Sequence, residues 1–296
     1  MRKKCIDILS KSLPLTDEVF EKFLYAWDKL DNYVIQEKAL TAVINANKKN
    51  TDVSIVLLKC TVLNQFYSTR INSNELITLA KHIVSLNIDN RLKHGDWSVV
   101  SDIAECQGLD KNISFASKYC NWHNQEAYPI YDKYVVDLLC VLKDKNILKS
   151  FTTKKLIRSE EKIDIRYKTF GNALSELVLN YNLTTPLGRN KEIIFKVLDR
   201  ALWILAKFCF GDEISVIDIA EALDEIVIKK IYDKYIIHQA PNGAIAISEN
   251  GKNGEKWLNT KTTLLKICKN TNIQYDSNTK IFELGQKIIE YINNSK

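Results

Sequence analysis

The chain has 296 residues, enough for one large domain or two modest ones with a substantial buried core. Apolar residues make up 46% and charged residues 26%, values that are ordinary for a globular protein and exclude a disordered polyelectrolyte. The net charge of +6 is unevenly placed: residues 1–210 carry a balance of +7 and residues 211–296 a balance of −1. This modest excess is compatible with nucleic acid but does not by itself indicate it.

Several functional classes are disfavoured by what the sequence lacks. No window approaches the roughly 18 uninterrupted apolar residues that a membrane span requires. Asp7 and Lys11 interrupt the apolar stretch near the N-terminus, which argues against a signal peptide. The seven cysteines are scattered without a C-x-x-C pair, so we expect reduced thiols and neither a zinc nor an iron–sulfur site. The sequence therefore predicts a cytoplasmic protein without a membrane partner, metal or cofactor.

Apolar residues at helical spacing dominate the first two thirds of the chain. The whole chain holds only nine glycines and four prolines, which favours helices over a turn-rich β fold. Thr16 and Asp17 are placed to begin the first helix. The predicted helices are 16–30, 33–48, 53–66, 74–86, 97–106, 113–122, 133–142, 166–181 and 192–208.

The pattern changes after about residue 210. Residues 235–238 and 244–247 are short apolar runs separated by Pro-Asn-Gly, which predicts a β-hairpin. An exposed loop is predicted over 248–254, and amphipathic helices over 258–269 and 279–293. The last two helices resemble small helix-extension-helix DNA-binding modules, with a plain packing role as the alternative. We therefore predict a helical domain over 1–210 and a small accessory α+β domain over 211–296.

The segment from Glu105 to Leu142 is the most informative part of the chain. It reads as a helix, a glycine-containing turn, a second helix, an extended Tyr-Pro-Ile-Tyr stretch, and then Asp132 at the start of another helix. Aspartate is among the best N-cap residues, so capping alone explains Asp132 by spacing. A carboxylate at a helix N-terminus is also kept ionised, as a group that stabilises positive charge must be. The two interpretations are compatible.

This segment resembles the core of the helix-hairpin-helix DNA glycosylase superfamily. Tyr128-Pro129-Ile130-Tyr131-Asp132 is similar to the family's strand and its catalytic aspartate. Upstream, Val62–Ile71 is similar to the helix end and loop that reach toward the damaged base, and Leu198–Lys207 resembles the closing helix. The resemblance covers roughly residues 50–210. It implies a mainly α, helix-hairpin-helix glycosylase-like fold for 1–210, with Asp132 as the catalytic carboxylate.

The hairpin departs from the family pattern. Gly108 matches the first glycine, but Asp110 stands where a second glycine is expected. The family uses this turn to point backbone N–H groups at a DNA phosphate. Asp110 would repel phosphate unless it turned away to cap the following helix, and a plain helix–helix turn is the alternative. The resemblance implies DNA-backbone contacts from Arg70, Gly108, Lys111, Asn112 and Ser114.

The resemblance also bears on the nucleophile. Bifunctional members carry a lysine about 18–20 residues before the aspartate, by family resemblance. Here Asn112, Ile113 and Ser114 occupy that window, with Lys111 and Lys118 outside it. A monofunctional glycosylase is therefore favoured, in which Asp132 stabilises the sugar cation and orients water. An amine from Lys118 or Lys111 would instead give a Schiff base and strand cleavage.

Candidate residues for holding a base rotated out of the duplex surround this segment. Such a base is normally stacked on aromatic rings and contacted at its polar edge. Tyr67, Trp122 and His123 are the predicted pocket residues, although Trp122 as core filling and His123 as a helix-terminal residue remain alternatives. Gln65 and Arg70 could fill the gap in the duplex, although Arg70 could equally be an ordinary surface charge.

The sequence thus predicts a DNA glycosylase that acts on double-stranded DNA and leaves an abasic site. Base-excision repair and defence against phage DNA with hypermodified bases are both compatible roles. A non-catalytic DNA-binding protein on the same scaffold is the alternative function. A helical protein-interaction scaffold is the third, and it predicts no salt-sensitive DNA binding.

Overall fold

Helices account for most of the structure, and one small antiparallel sheet lies near the C-terminus. A computed structural model of the chain describes residues 13–153, 156, 161–225, 227–251, 254–276 and 278–295. The N-terminal segment that holds Asp7 and Lys11 lies outside these residues. The predicted class, mainly helical with a small C-terminal sheet, is confirmed.

The helices follow the chain in the order predicted from apolar spacing. Those before the sheet are α1 Asp17–Asp28, α2 Asp31–Ala46, α3 Val53–Tyr67, α4 Ser73–Ser85, α5 Asp89–Lys93, α6 Ser98–Ala104, α7 Ile113–His123, α8 Lys133–Asp144, α9 Ile163–Asn180, α10 Phe195–Phe210 and α11 Glu213–Ala222. The strands are β1 Ile228–Tyr232, β2 Tyr235–Gln239, β3 Ile245–Gly251 and β4 Gly254–Trp257, and the last helices are α12 Thr260–Thr271 and α13 Ile281–Asn294.

The described residues divide into two compact units. One comprises residues 13–206, and the other contains the described part of 207–296, so the division falls inside α10. All residues of the candidate site discussed below belong to the first unit.

Side-chain caps begin several helices of the first unit. Thr16 accepts a hydrogen bond from the Val19 N–H, as its position before α1 predicts. Asn72 begins α4 with a capping box, because its side chain and that of Glu75 each accept the other's backbone N–H. These local contacts satisfy N–H groups that the first turn of a helix leaves unpaired.

Helix α7 is the central helix of the first unit. Nine of its residues are buried, among them polar ones: Ile113, Phe115, Ala116, Ser117, Lys118, Tyr119, Cys120, Asn121 and Trp122. Helix α7 packs against α2, α3, α5 and α6. A helix enclosed by neighbours must satisfy its buried polar groups with protein partners, and those partners define the candidate site.

The second unit is built on a four-stranded antiparallel sheet with strand order β1-β2-β3-β4. The predicted hairpin is confirmed as β2 and β3, with Gly243 at φ +79° in the turn. One face of the sheet packs against α12 and α13 through an apolar cluster that includes Ile237, Ile247, Leu264 and Ile288.

Three details of the sequence interpretation are wrong. The loop predicted over 248–254 is the end of β3 and the start of β4, with residues 252–253 outside the described part. Helices α5 and α11 were not predicted. The five residues of α5 are too few to show a clear period, and α11 lies where the domain boundary was expected.

The extended stretch 128–131 also differs from its prediction as a strand. It has neither helical structure nor sheet pairing, and side chains rather than a neighbouring strand bind its backbone. Among the described residues, no helix is both long enough and apolar enough to cross a membrane.

Candidate functional site

Polar side chains of α7 hold the extended stretch against the helix. The Ser117 hydroxyl accepts a hydrogen bond from the Tyr131 N–H at 2.9 Å, and the Asn121 amide donates to the Tyr128 carbonyl at 2.7 Å. The Tyr167 hydroxyl donates to the Pro129 carbonyl at 2.8 Å. Because Ser117 and Asn121 are four residues apart on one helix face, they fix the stretch along α7. Asp132 is thereby positioned beside this helix.

Asp132 occupies the N-cap of α8, as its spacing predicts. Its Oδ1 accepts a hydrogen bond from the Tyr134 N–H at 2.8 Å, and its backbone is extended. The side chain is half-buried. The capping role is therefore real, and it leaves the second carboxylate oxygen for other contacts.

Lys118 lies in the interior of the site, which the sequence interpretation considered only as an alternative nucleophile. Its side chain is 4% exposed, and its ammonium group donates to the Ser114 hydroxyl at 2.6 Å. The Nζ atom lies 5.2 Å from the centre of the Tyr67 ring. Burial lowers the pKa of Lys118, opposed by the carboxylates of Asp132 and Asp199.

Tyr67 and Trp122 form a hydrogen-bonded aromatic pair. The Trp122 indole N–H donates to the Tyr67 hydroxyl at 3.0 Å. Lys118 contacts the face of the Tyr67 ring, and Lys196 lies 4.8 Å from the centre of the Trp122 ring. Burial raises the pKa of Tyr67, so its hydroxyl is neutral near pH 7. Two lysine side chains thus contact one aromatic pair.

An ion cluster between α2 and α10 completes the site. Glu37 Oε1 lies 2.5 Å from Lys196 Nζ, and its Oε2 accepts hydrogen bonds from Arg200. Asp199 Oδ2 lies 4.0 Å from Lys196 Nζ. Glu37 and Lys196 are buried, at 8% and 2% exposure. Such a buried cluster needs charges of both signs, because an unpaired charge is poorly tolerated away from water.

The pKa values of Asp199 and Lys196 are both raised in this cluster, for different reasons. Desolvation, with smaller contributions from the carboxylates of Asp132 and Glu37, outweighs the nearby lysines Lys196 and Lys118 and raises the pKa of Asp199 to about 7. Burial disfavours the charge of Lys196, but Tyr67, Glu37 and Asp199 together raise its pKa. With Tyr67 neutral, we assign that increase to the two carboxylates. Lys196 is therefore an ammonium at neutral pH.

Sequence reasoning did not identify this cluster. Asp199 and Arg200 were placed in the closing helix, but Glu37, Lys196, Asp199 and Arg200 were given no role in the site. The available signal was the close spacing of Lys196, Asp199 and Arg200 in a helix that has one further charged residue, Lys207. That spacing puts them on one helix face, although it does not reveal that the face meets Glu37.

His123 belongs to a different network from the aromatic pair. Its Nδ1 donates to the Tyr119 carbonyl at 2.8 Å and its Nε2 accepts from Lys59 Nζ at 3.2 Å. The same ammonium donates to Asn50 Oδ1 at 2.8 Å, and Asn50 in turn binds Asp89. Burial, together with Lys59, lowers the pKa of His123 to about 4. These contacts place His123 in the network of Lys59, Asn50 and Asp89 rather than beside Tyr67.

The predicted DNA-contact residues lie around the turn before α7. Gly108 has φ +82°, a conformation that glycine adopts without strain. Asn112, rather than Asp110, is the N-cap of α7 and accepts the Phe115 N–H at 2.8 Å. Lys111 is exposed and lies 3.5 Å from Glu105, outside the buried cluster. The turn therefore carries a regular cap that leaves Asp110 exposed.

The loop after α3 lies beside this turn. Asn112 Nδ2 donates to the Thr69 carbonyl at 3.4 Å, and a cavity of about 260 Å³ between the two segments is lined in part by Arg70 and Asn112. Arg70 is exposed and has φ +61°. Gln65 is exposed on the last turns of α3. Arg70 and Asn112 thus line a surface cavity beside the turn, and Gln65 is not among the residues that line it.

Of the predicted site residues, the structure brings together Tyr67, Ser114, Lys118 and Trp122, with Asp132 close enough for its charge to act on Lys118. It does not join His123, Gln65 or Lys111 to them. Within the described part of the chain, no group of three or more His, Cys, Asp and Glu side chains could hold a metal ion. The chemistry available to the cluster is that of an amine, carboxylates and aromatic rings.

Comparisons with known proteins find one family model and one relative of this chain. The HI_0787_N family, described as an N-terminal domain, matches residues 19–127, a range that includes Glu37, Tyr67, Lys118 and Trp122 and ends before Asp132. A Haemophilus influenzae protein described as an uncharacterized protein is 33% identical over 165 residues, which cover 54% of this chain and 71% of that protein. No solved structure matches the chain. At this identity and coverage, the chain belongs to the same family as the Haemophilus influenzae protein.

Proposed function

We propose that the chain is a DNA glycosylase of the helix-hairpin-helix kind that excises a damaged or modified base. The observation that carries the proposal is the buried Lys118 amine, whose protonation is influenced by Asp132 at the N-terminus of α8. A lysine with a lowered pKa is an activated nucleophile, and a carboxylate stabilises the positive charge that develops on the sugar. The order of turn, helix, extended stretch and aspartate supports the same family resemblance.

The position of Lys118 changes which nucleophile we favour. The sequence spacing favoured water, because no lysine lies in the expected window before Asp132. In the described structure Lys118 is instead held inside the cluster by Ser114 and Tyr67. A buried amine of lowered pKa is a better nucleophile than water, and we therefore propose lyase chemistry in addition to base release.

In the proposed reaction the neutral Lys118 amine adds to the anomeric carbon of the sugar. The carbon–nitrogen bond to the base breaks, and the base leaves with the bonding electrons and takes up a proton. Loss of the proton from the added amine and opening of the sugar ring give an imine that links Lys118 to the DNA. Asp132 stabilises the cationic sugar during base departure. Since Lys118 is only 4% exposed, base entry requires movement of the side chains around it.

The test is a panel of duplexes that each carry one modified base, scored for alkali-labile sites and for covalent adducts trapped with borohydride. Wild type should release a base and form an adduct. Lys118→Met should abolish the adduct, and Asp132→Asn should lower the rate of base release by at least about 100-fold. Lys266→Met is the matched control and should retain wild-type activity, because Lys266 is exposed on α12 of the second unit.

The outcomes separate the competing functions. An adduct that persists in Lys118→Met would show that Lys118 is not the nucleophile. Abasic sites without any adduct would indicate water as the nucleophile. If no duplex of the panel is attacked while DNA binding is strong and weakens with salt, the chain is a non-catalytic DNA-binding protein.

A further inference from the structure

A second buried lysine contacts the Tyr67–Trp122 pair. Lys196, at the start of α10, is 2% exposed, and its Nζ donates to the Tyr67 hydroxyl at 3.4 Å. The same atom lies 4.8 Å from the centre of the Trp122 ring. The two lysines therefore share one aromatic pair while coming from different helices.

The two lysines have different hydrogen-bond partners, and these partners affect how readily each lysine loses its proton. Lys196 Nζ lies 2.5 Å from a carboxylate oxygen of Glu37, whereas the only hydrogen-bond acceptor found within reach of Lys118 among the described residues is the neutral Ser114 hydroxyl. A directly paired lysine stays protonated in a protein interior. An amine that hydrogen-bonds only a hydroxyl loses its proton more readily.

Glu37 and Arg200 keep the Lys196 ammonium in place. Glu37 accepts hydrogen bonds from Arg200 at its second oxygen, so one carboxylate is bound by both cations. The groups that face Lys118 are the Tyr67 ring from α3, Ser114 from its own helix, Asp132 from the extended stretch, and Asp199 and Lys196 from α10. The two carboxylates favour a charge on Lys118, and Lys196 is the cation that opposes it.

We propose that Lys196 is a positioning residue of this site. Its ammonium, which Glu37 fixes against the Tyr67–Trp122 pair, disfavours a second positive charge on Lys118 and keeps that amine available as a nucleophile. Like charges in a poorly hydrated interior repel over several ångströms. The use of Lys118 as the nucleophile rests on the proposed function. The electrostatic role of Lys196 can be measured without DNA.

The experiment follows the titration of Lys118 by NMR in protein labelled with ¹³C-lysine, with the resonance assigned by its loss in Lys118→Arg. In wild type the midpoint should lie below the ordinary lysine value of 10.5. Lys196→Met should raise that midpoint by about 0.5–1 pH unit, because it removes the nearby cation. Lys196→Arg keeps a cation and should leave the midpoint near that of wild type.

An unchanged or lowered midpoint in Lys196→Met would overturn the proposal. Lys196→Met leaves Glu37 paired with Arg200, which favours folding of the variant. The double variant Glu37→Gln/Lys196→Met removes both buried charges and should show the same upward shift if the single variant does not fold.

Borohydride trapping over a range of pH distinguishes failure of this inference from failure of the proposed function. With Lys118 as nucleophile, adduct formation rises with pH as the amine deprotonates, and Lys196→Met should move that rise upward by the shift seen in the titration. A shifted titration without adducts in wild type would refute the lyase function and leave the electrostatic role of Lys196 standing.

Discussion

The protonation of individual buried residues is the property through which this structure makes its most direct predictions. Burial disfavours charge and therefore shifts the pKa values of Lys59, Lys118, His123 and Asp199 toward their neutral forms, with the pKa of Lys59 lowered to about 8. Each such group links folding stability to pH with a sign set by the direction of its shift.

For His123, we expect stability to be lost as pH falls. Its pKa is about 4 in the fold and 6.5 in the unfolded chain, so between these values the unfolded state binds more protons. The loss is at most about 1.4 kcal/mol per pH unit. Urea unfolding at pH 7 and pH 4.5 should show a larger loss for wild type than for His123→Gln. The exposed His94 is the control, and His94→Gln should lose as much stability between pH 7 and pH 4.5 as wild type does. An equally large loss in His123→Gln would contradict the prediction.

For Asp199, we expect stability to be lost as pH rises. Its pKa is raised from 3.8 to about 7, so its contribution to stability is present at low pH and is lost as pH rises through this range. Asp199→Asn removes that titration. The variant should therefore gain stability relative to wild type, by on the order of 1–3 kcal/mol, between pH 4.5 and pH 8. A variant that is less stable than wild type at pH 8 would show that the contact with Lys196 outweighs the burial of the carboxylate.

At the scale of elements, helix α7 and its N-cap organise the site. Asn112 ends the turn that begins at Gly108 and starts the helix that presents Ser114, Lys118 and Trp122. Farther along the same helix, Ser117 and Asn121 bind the extended stretch that leads to Asp132. Helix α7 therefore positions its own side chains and also the extended stretch that leads to Asp132.

Asn112→Ala should destabilise the protein by about 1 kcal/mol, the usual effect of removing an N-cap side chain. The reason is the loss of the 2.8 Å hydrogen bond from the Phe115 N–H. The urea midpoint should fall with little change in the slope of the transition. Asp110→Ala is the matched control because Asp110 is exposed and does not cap α7, and the idea fails if both substitutions have equal effects.

At the scale of the whole molecule, the positive charge lies in the part of the chain that holds the candidate site. Residues 1–210 carry the balance of +7, whereas residues 211–296 are close to neutral. If the proposed DNA function is correct, phosphate contacts should come mainly from the first unit. Such contacts release counterions and make binding depend on salt.

We expect duplex affinity to fall at least about tenfold between 50 and 200 mM salt, which corresponds to about two phosphate contacts. Arg70→Gln should reduce the salt slope by about one contact, because Arg70 is exposed beside the turn before α7. Lys266→Gln, on an exposed position of α12, is the control and should leave the slope unchanged. Fluorescence anisotropy over a salt series measures all three, and salt-independent binding would argue against a DNA partner.

The sequence by itself determined the elements of this protein, because apolar spacing and capping residues act over a few neighbouring positions. Helix α1 with its Thr16 cap, the hairpin of β2 and β3, and Asp132 as an N-cap were all predicted correctly. The loop predicted after residue 247 was wrong: residues 248–251 are polar, as in a loop, but they belong to β3, an inner strand that pairs with both β2 and β4.

Only the tertiary structure decided which polar side chains meet in the site. Glu37 and Arg200 are 163 positions apart and form one ion pair, and Lys118 reaches the ring of Tyr67 from another helix. No local pattern encodes such contacts, because they depend on which helix faces are buried against each other. The separation of His123 from Trp122, its neighbour in sequence, follows from the same cause: successive residues of a helix point in different directions.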